Sequence, residues 1–99
     1  MIDVIVTKGC PHCPQQLAVM SESFRPEDYV VIQDGTKEYD EHELNNQIDG
    51  FPFLVIRDAS GQVRYAAAGY MDARQLDARI AKYSGPPQAF NLRKARMGN

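Results

Sequence analysis

Ile2-Asp3-Val4-Ile5-Val6-Thr7-Lys8-Gly9-Cys10-Pro11-His12-Cys13 is the stretch that decides how this chain reads. Its first five residues are rich in β-branched side chains and predict a strand over residues 2–6. Thr7-Lys8-Gly9 turns the chain out of that strand. Two cysteines separated by two residues follow, a spacing that can close a small disulfide and open it again. They are the only two cysteines in the protein, so neither has another partner within the chain. An amphipathic stretch comes next. A C-x-x-C between a strand and a helix is the signature of a thiol–disulfide exchange site.

Working outward, the first helix is predicted over residues 14–24, with Leu17, Met20 or Ser21, and Phe24 near one face and Pro26 ending it. A second strand covers 29–32 and stops at Asp34-Gly35. Residues 37–47 are polar, with Leu44 and Ile48 as core anchors, and predict a short helix. Within it, His42 lies among charged neighbours and reads as solvated. Pro52 opens Phe53-Leu54-Val55-Ile56, an apolar run suited to a strand buried on both faces. Asp58-Ala59-Ser60-Gly61 is a hairpin turn. Residues 62–66 form its return strand, with Val63 and Tyr65 expected on one face. Gly69 breaks the pattern. Asp72 and Gln75 have capping-box spacing and open a last helix over 72–83, with Leu76, Ile80 and Tyr83 as its buried stripe. The order β-α-β-α-β-β-α predicts an α/β domain with a mixed four-stranded sheet and helices on both faces.

One domain is expected over residues 1–84, followed by a basic tail over 85–99 carrying Arg93, Lys94 and Arg96. The tail reads as mobile or as a short basic helix for a partner. The 99 residues carry 11 basic and 13 acidic side chains, a net charge of −2, which argues against nucleic-acid or membrane partners. No apolar run approaches the ~18 residues of a membrane span, and the N-terminus lacks a signal-peptide pattern. The expectation is a cytoplasmic monomer. In that compartment a CxxC pair is more often catalytic or metal-binding than a structural staple.

With CPHC after the first strand and a proline before the third, the chain resembles the thioredoxin/glutaredoxin superfamily over residues 2–83. Three anchors carry the resemblance: Cys10-Pro11-His12-Cys13, Ile48-Asp49-Gly50-Phe51-Pro52, and Gly69 with the capped helix after it. The short N-terminal half is glutaredoxin-like, whereas Gly50-Phe51-Pro52 and Ala68-Gly69-Tyr70 look more like thioredoxin. The chain departs from both. It lacks the tryptophan that thioredoxins place before the first cysteine, and it has His12 where glutaredoxins have tyrosine. The CPHC tetrapeptide is the one found in a periplasmic disulfide-forming oxidant.

The resemblance implies a thioredoxin-like fold and a dithiol–disulfide oxidoreductase. Cys10 is then the exposed nucleophile, its thiolate favoured by a helix N-terminus and by His12. Cys13 is the resolving thiol. Pro11 suits an early helical position. If Cys10 is the N-cap, Pro14 removes the first helical bond, so a kink or a shifted helix start is expected. The resemblance makes Pro52 cis and sets the backbone of Phe51 to pair with an extended substrate. Lys8, Gly69, Tyr70 and Asp72 fall where glutathione or substrate is gripped. Asp72 also reads as a helix cap, Lys8 as a solvated charge and Phe51 as core.

No tightly bound cofactor is expected. Glutathione is the candidate co-substrate, and glutathione or a thioredoxin reductase the candidate electron donor. The client would be a disulfide-containing protein, with ribonucleotide reductase as one example by family analogy. Two other readings stay open. One is an iron–sulfur or metal carrier using the CxxC pair. The other is a redox-inactive thioredoxin-like interaction module.

Overall fold

The computed structural model describes residues 1–83; residues 84–99, with the basic tail predicted from the sequence, lie outside the described residues. Four strands form one sheet: β1 (Ile2–Val6), β2 (Tyr29–Gln33), β3 (Phe53–Arg57) and β4 (Val63–Ala68). Three helices accompany them: α1 (Cys13–Ser23), α2 (Lys37–Glu41) and α3 (Ala73–Tyr83). Short 3-10 turns at Pro26–Asp28 and Asn45–Gln47 complete the elements of the described residues. The spatial strand order is β2-β1-β3-β4, and the sheet is mixed. β1 runs parallel to β2, as a strand pair joined through a helix must, and antiparallel to β3. β3 and β4 form the hairpin.

The side-chain alternation of the two inner strands sorts the core into two layers. Ile2, Val4 and Val6 of β1 and Leu54 and Ile56 of β3 pack with Met20 and Phe24 from α1 and its end and with Leu76 and Ile80 of α3. Ile5, Phe53 and Val55 point the other way, join Ile32, and are covered by Tyr39, Leu44 and Ile48. All five β1 residues are buried, which explains why this strand reads as apolar with a single charged exception, Asp3.

Several sequence expectations change in detail. The 37–47 helix is broken. Thr36 caps α2 by accepting a hydrogen bond from the Tyr39 N–H, and the helix ends after Glu41 because His42 takes an extended backbone. This turn sends the His42 ring inward, so the histidine expected in solvent is 9 % exposed. The Leu44 N–H donates to its Nδ1 at 3.0 Å, which leaves the ring proton on Nε2, where it is given to Asp3 at 2.8 Å. Arg57 donates to the same Asp3 oxygen through Nε (3.1 Å) and Nη2 (2.9 Å). Through Nη1 it reaches Glu43 at 2.7 Å and the Gly61 carbonyl at 3.0 Å. Burial opposes the Arg57 charge, but the hydrogen bonds and charges of Asp3 and Glu43 prevail and raise its pKa.

The register of the hairpin shifts between Ile56, paired with Tyr65, and Arg57, paired with Val63. The extra residue turns Val63 and Tyr65 to opposite faces, where a single face was expected: Val63 packs on the layer that holds Phe53 and Val55, Tyr65 on the layer that holds Leu54 and Ile56. Tyr83, expected in the buried stripe of α3, is half-buried instead, its ring stacked on Tyr65 at 5.0 Å.

Candidate functional site at one end of the sheet

The register assembles the site. Ile5 pairs with Phe53, and Phe53 with Ala68. The segments that leave β1, enter β3 and leave β4 therefore meet at one end of the sheet. Those segments carry Cys10 and Cys13, Phe51 and Pro52, and Gly69 with Tyr70. The Gly69 N–H donates to the Pro52 carbonyl at 2.8 Å, tying two of them together. The Phe51–Pro52 peptide bond is cis. Gly50 lies so close to β4 that a Cβ there would meet that of Ala68 at 3.1 Å, a contact that requires the neighbour to give by a few tenths of an ångström.

Cys10 and Cys13 form a disulfide with a Cα separation of 5.4 Å. Their environments differ. Cys13 opens α1 and is 3 % exposed, whereas Cys10 is partly exposed at the edge of the same apolar cluster. Gly9 lets the chain enter this loop with φ of 79°, a conformation that an L-residue adopts only with strain.

The helix start is the shifted one. His12, rather than Cys10, is the N-cap, and Gln16 makes the first helical bond to the His12 carbonyl at 3.0 Å. Pro14 then falls in the first turn, where its missing N–H leaves no helical bond unmade. The Cys13 N–H reaches the Cys10 carbonyl at 3.4 Å, so Cys10 sits on a turn that leads into the positive end of α1. His12 makes no side-chain capping bond, and His12, Pro11 and Lys8 are all exposed.

Around the pair, Phe51 is half-buried and its ring stacks on Tyr39 at 6.4 Å, so it serves the core as well as the site. Pro52 is buried, Tyr70 half-buried and Gly69 exposed. Asp72 completes a reciprocal capping box: the Gln75 N–H donates to its Oδ1 at 2.8 Å, and its own N–H donates to the Gln75 side chain at 2.9 Å. One carboxylate oxygen is thereby committed to α3.

Sequence reasoning missed one residue beside the site. Gln16 is fully buried and bonds both backbone groups of Met71. Its signal was available: Cys13, Gln16, Met20 and Phe24 fall on one helical stripe, and a glutamine there must find polar partners inside. Among the described residues no group of three or more histidines, cysteines or acidic residues is placed to hold a metal ion. No described helix is long and apolar enough to cross a membrane.

No protein-family model matches the chain, and no curated protein or solved structure matches it.

Proposed function

We propose that the chain is a thioredoxin-fold dithiol–disulfide oxidoreductase that works through the Cys10–Cys13 pair. The observation that carries this reading is the asymmetric disulfide: Cys10 is partly exposed and Cys13 buried, at a strand-to-helix junction on the end of the sheet that also holds a cis-proline. A staple needs no accessible sulfur, whereas exchange requires one attacking thiol in reach of a partner and one held back to resolve. The β2-β1-β3-β4 order and the two helical layers support the thioredoxin-like fold.

In the reducing direction the Cys10 thiolate attacks one sulfur of the substrate disulfide. A mixed disulfide forms and the first substrate thiolate leaves. The Cys13 thiolate then attacks the Cys10 sulfur, the second substrate thiolate leaves, and the Cys10–Cys13 disulfide closes. Two electrons pass from the dithiol to the substrate, and both departing thiolates take up protons according to pH. A donor thiol or dithiol, either glutathione or a flavin-dependent reductase, returns the pair to its reduced form by the same steps reversed.

The N-terminus of α1 and His12 favour the Cys10 thiolate. Pro11 shapes the turn between the thiols. The backbone of Phe51 offers an extended substrate a strand-like partner, with Pro52 keeping that edge beside the dithiol. Gly69 and Tyr70 flank it, and Lys8 supplies a cation for a substrate or glutathione carboxylate.

The test is turnover of a disulfide substrate with glutathione plus glutathione reductase, run beside the same assay with thioredoxin reductase. Cys10→Ser abolishes exchange with either donor. Cys13→Ser retains the first step and accumulates the mixed disulfide. Absence of exchange with every donor, in a protein whose two thiols are intact, overturns the reading.

A further inference from the structure

Gln16 is a polar side chain with no exposed surface, buried between α1 and the segment that follows β4. Its Nε2 donates to the Met71 carbonyl at 2.9 Å, and its Oε1 accepts from the Met71 N–H at 2.8 Å. Nε2 also lies 3.7 Å from the Met20 sulfur. A side-chain amide that takes both the N–H and the C=O of one residue imitates a neighbouring strand, and it fixes that peptide in position and orientation. Packing alone would be met by an apolar residue at lower cost, because a buried amide must be fully bonded to be tolerated.

One end of this clamp lies close to the dithiol in the chain and the other close to Gly69. Gln16 is three residues beyond Cys13 on the same helix. Met71 is two residues beyond Gly69, and the Gly69 N–H is bonded to the carbonyl of Pro52. One continuous path therefore runs from the resolving cysteine through α1 and Gln16 to Met71, and back through Gly69 to the cis-proline. It links the sulfurs to the two backbone segments that flank them.

We infer that Gln16 is a positioning residue for polypeptide substrates. It holds the Gly69–Met71 backbone at a set distance from Cys10 and Cys13, so that an extended chain laid along Phe51 and Gly69 presents its disulfide to Cys10. It touches neither sulfur nor substrate. The inference rests on the dithiol reading above, and it separates disulfides carried on an extended polypeptide, which need the flanking backbone, from small disulfides, which need only an accessible thiolate.

The test compares two disulfides on the same protein. Gln16→Met keeps the side-chain length and removes both bonds to Met71. Its kcat/KM for insulin disulfides is expected to fall about tenfold, mostly through KM, as orientation is lost. Its rate with the small aromatic disulfide 5,5′-dithiobis(2-nitrobenzoate) stays within about twofold of the parent, because that reaction reads the Cys10 thiolate alone. Gln16→Leu, which also lacks both bonds, shows the same selective loss. Equal losses on both disulfides, or no loss on insulin in a folded variant, overturn the positioning role. Should neither variant fold, hydrogen exchange on the parent decides: slow exchange of the Met71 amide supports the clamp, and exchange at the rate of an open loop overturns it. A parent protein that reacts with neither disulfide while its thiols are intact sinks the dithiol reading itself, an outcome distinct from failure of the Gln16 assignment.

Discussion

The two ends of β1 treat polar chemistry in opposite ways. Near its start, Asp3 is enclosed with His42 and Arg57, and one of its oxygens accepts three hydrogen bonds. Beyond its end, Lys8, Pro11 and His12 stand exposed and Cys10 is half-open. The first end is saturated, so its groups have little left to offer a ligand and act as cross-links among β1, β3 and the segment after α2. At the second end the charged and reactive groups face outward, while the buried polar side chain nearby, Gln16, is spent on backbone. One strand thus separates a closed polar cluster that serves stability from an open one suited to exchange. The lesson is that the accessibility of the paired groups, more than their chemical type, distinguishes a structural cluster from a candidate site.

Substitution at the two ends should separate these roles. Cys10→Ser removes all exchange while changing the stability of the reduced protein by less than about 1 kcal/mol, as measured by urea unfolding. Asp3→Ala should do the reverse. It leaves Arg57 and His42 facing an emptied site and costs about 3 kcal/mol, with exchange per folded molecule retained. Loss of exchange in a folded Asp3→Ala protein would break the comparison.

A smaller effect is expected at His12. If its imidazole supports the Cys10 thiolate, His12→Ala destabilises the reduced form. The couple then becomes more reducing by about 30 mV, equivalent to a tenfold change in equilibrium constant. Equilibration with a glutathione buffer measures this directly, and an unmoved potential would assign the thiolate support to α1 alone.

Asp72 sits between the two roles. Asp72→Ala should cost about 1 kcal/mol through loss of the cap, and Asp72→Ser, which still caps, should restore it. If capping is its whole task, the serine variant also keeps full turnover with glutathione. A stable but slow serine variant would place its second carboxylate oxygen in the site.

The smallest effect concerns the β3–β4 turn. Asp58 accepts from the Ser60 hydroxyl at 2.6 Å, and that bond, opposed by desolvation and aided by the Gln62 and Ser60 N–H groups and by Arg64, lowers its pKa below 3.8. A lowered folded-state pKa means that the contribution is present above the unfolded value and fades as pH falls through the folded one. The stability difference between the parent and Asp58→Asn should therefore be largest near neutral pH, shrink as pH falls below the ordinary aspartate value, and vanish only once the lowered folded-state value is passed. Urea midpoints across that range check it.

Much of this architecture is legible in the sequence, because it rests on local patterns. The β-branched run at 2–6, the apolar run at 53–56, the hairpin turn between them and β4, and the Asp72–Gln75 box are each set by residues within a few positions of one another. The Cys10–Cys13 disulfide belongs with them, since the spacing itself brings the sulfurs into reach. What the sequence left undecided depended on partners far along the chain. His42 reads as solvated until the turn after Glu41 carries its ring to Asp3, thirty-nine positions away. Gln16 falls on the apolar stripe of α1, but the partner that claims its amide, Met71, lies fifty-five positions away. The register shift at Arg57 separates Val63 from Tyr65, although strict alternation would keep them together. The chain by itself determined where the four strands, the first and last helices and the thiols stand, because backbone preference and alternation act over short distances. Only the tertiary structure decided which polar groups are spent and which stay open, because satisfying a buried polar atom depends on what the fold brings beside it.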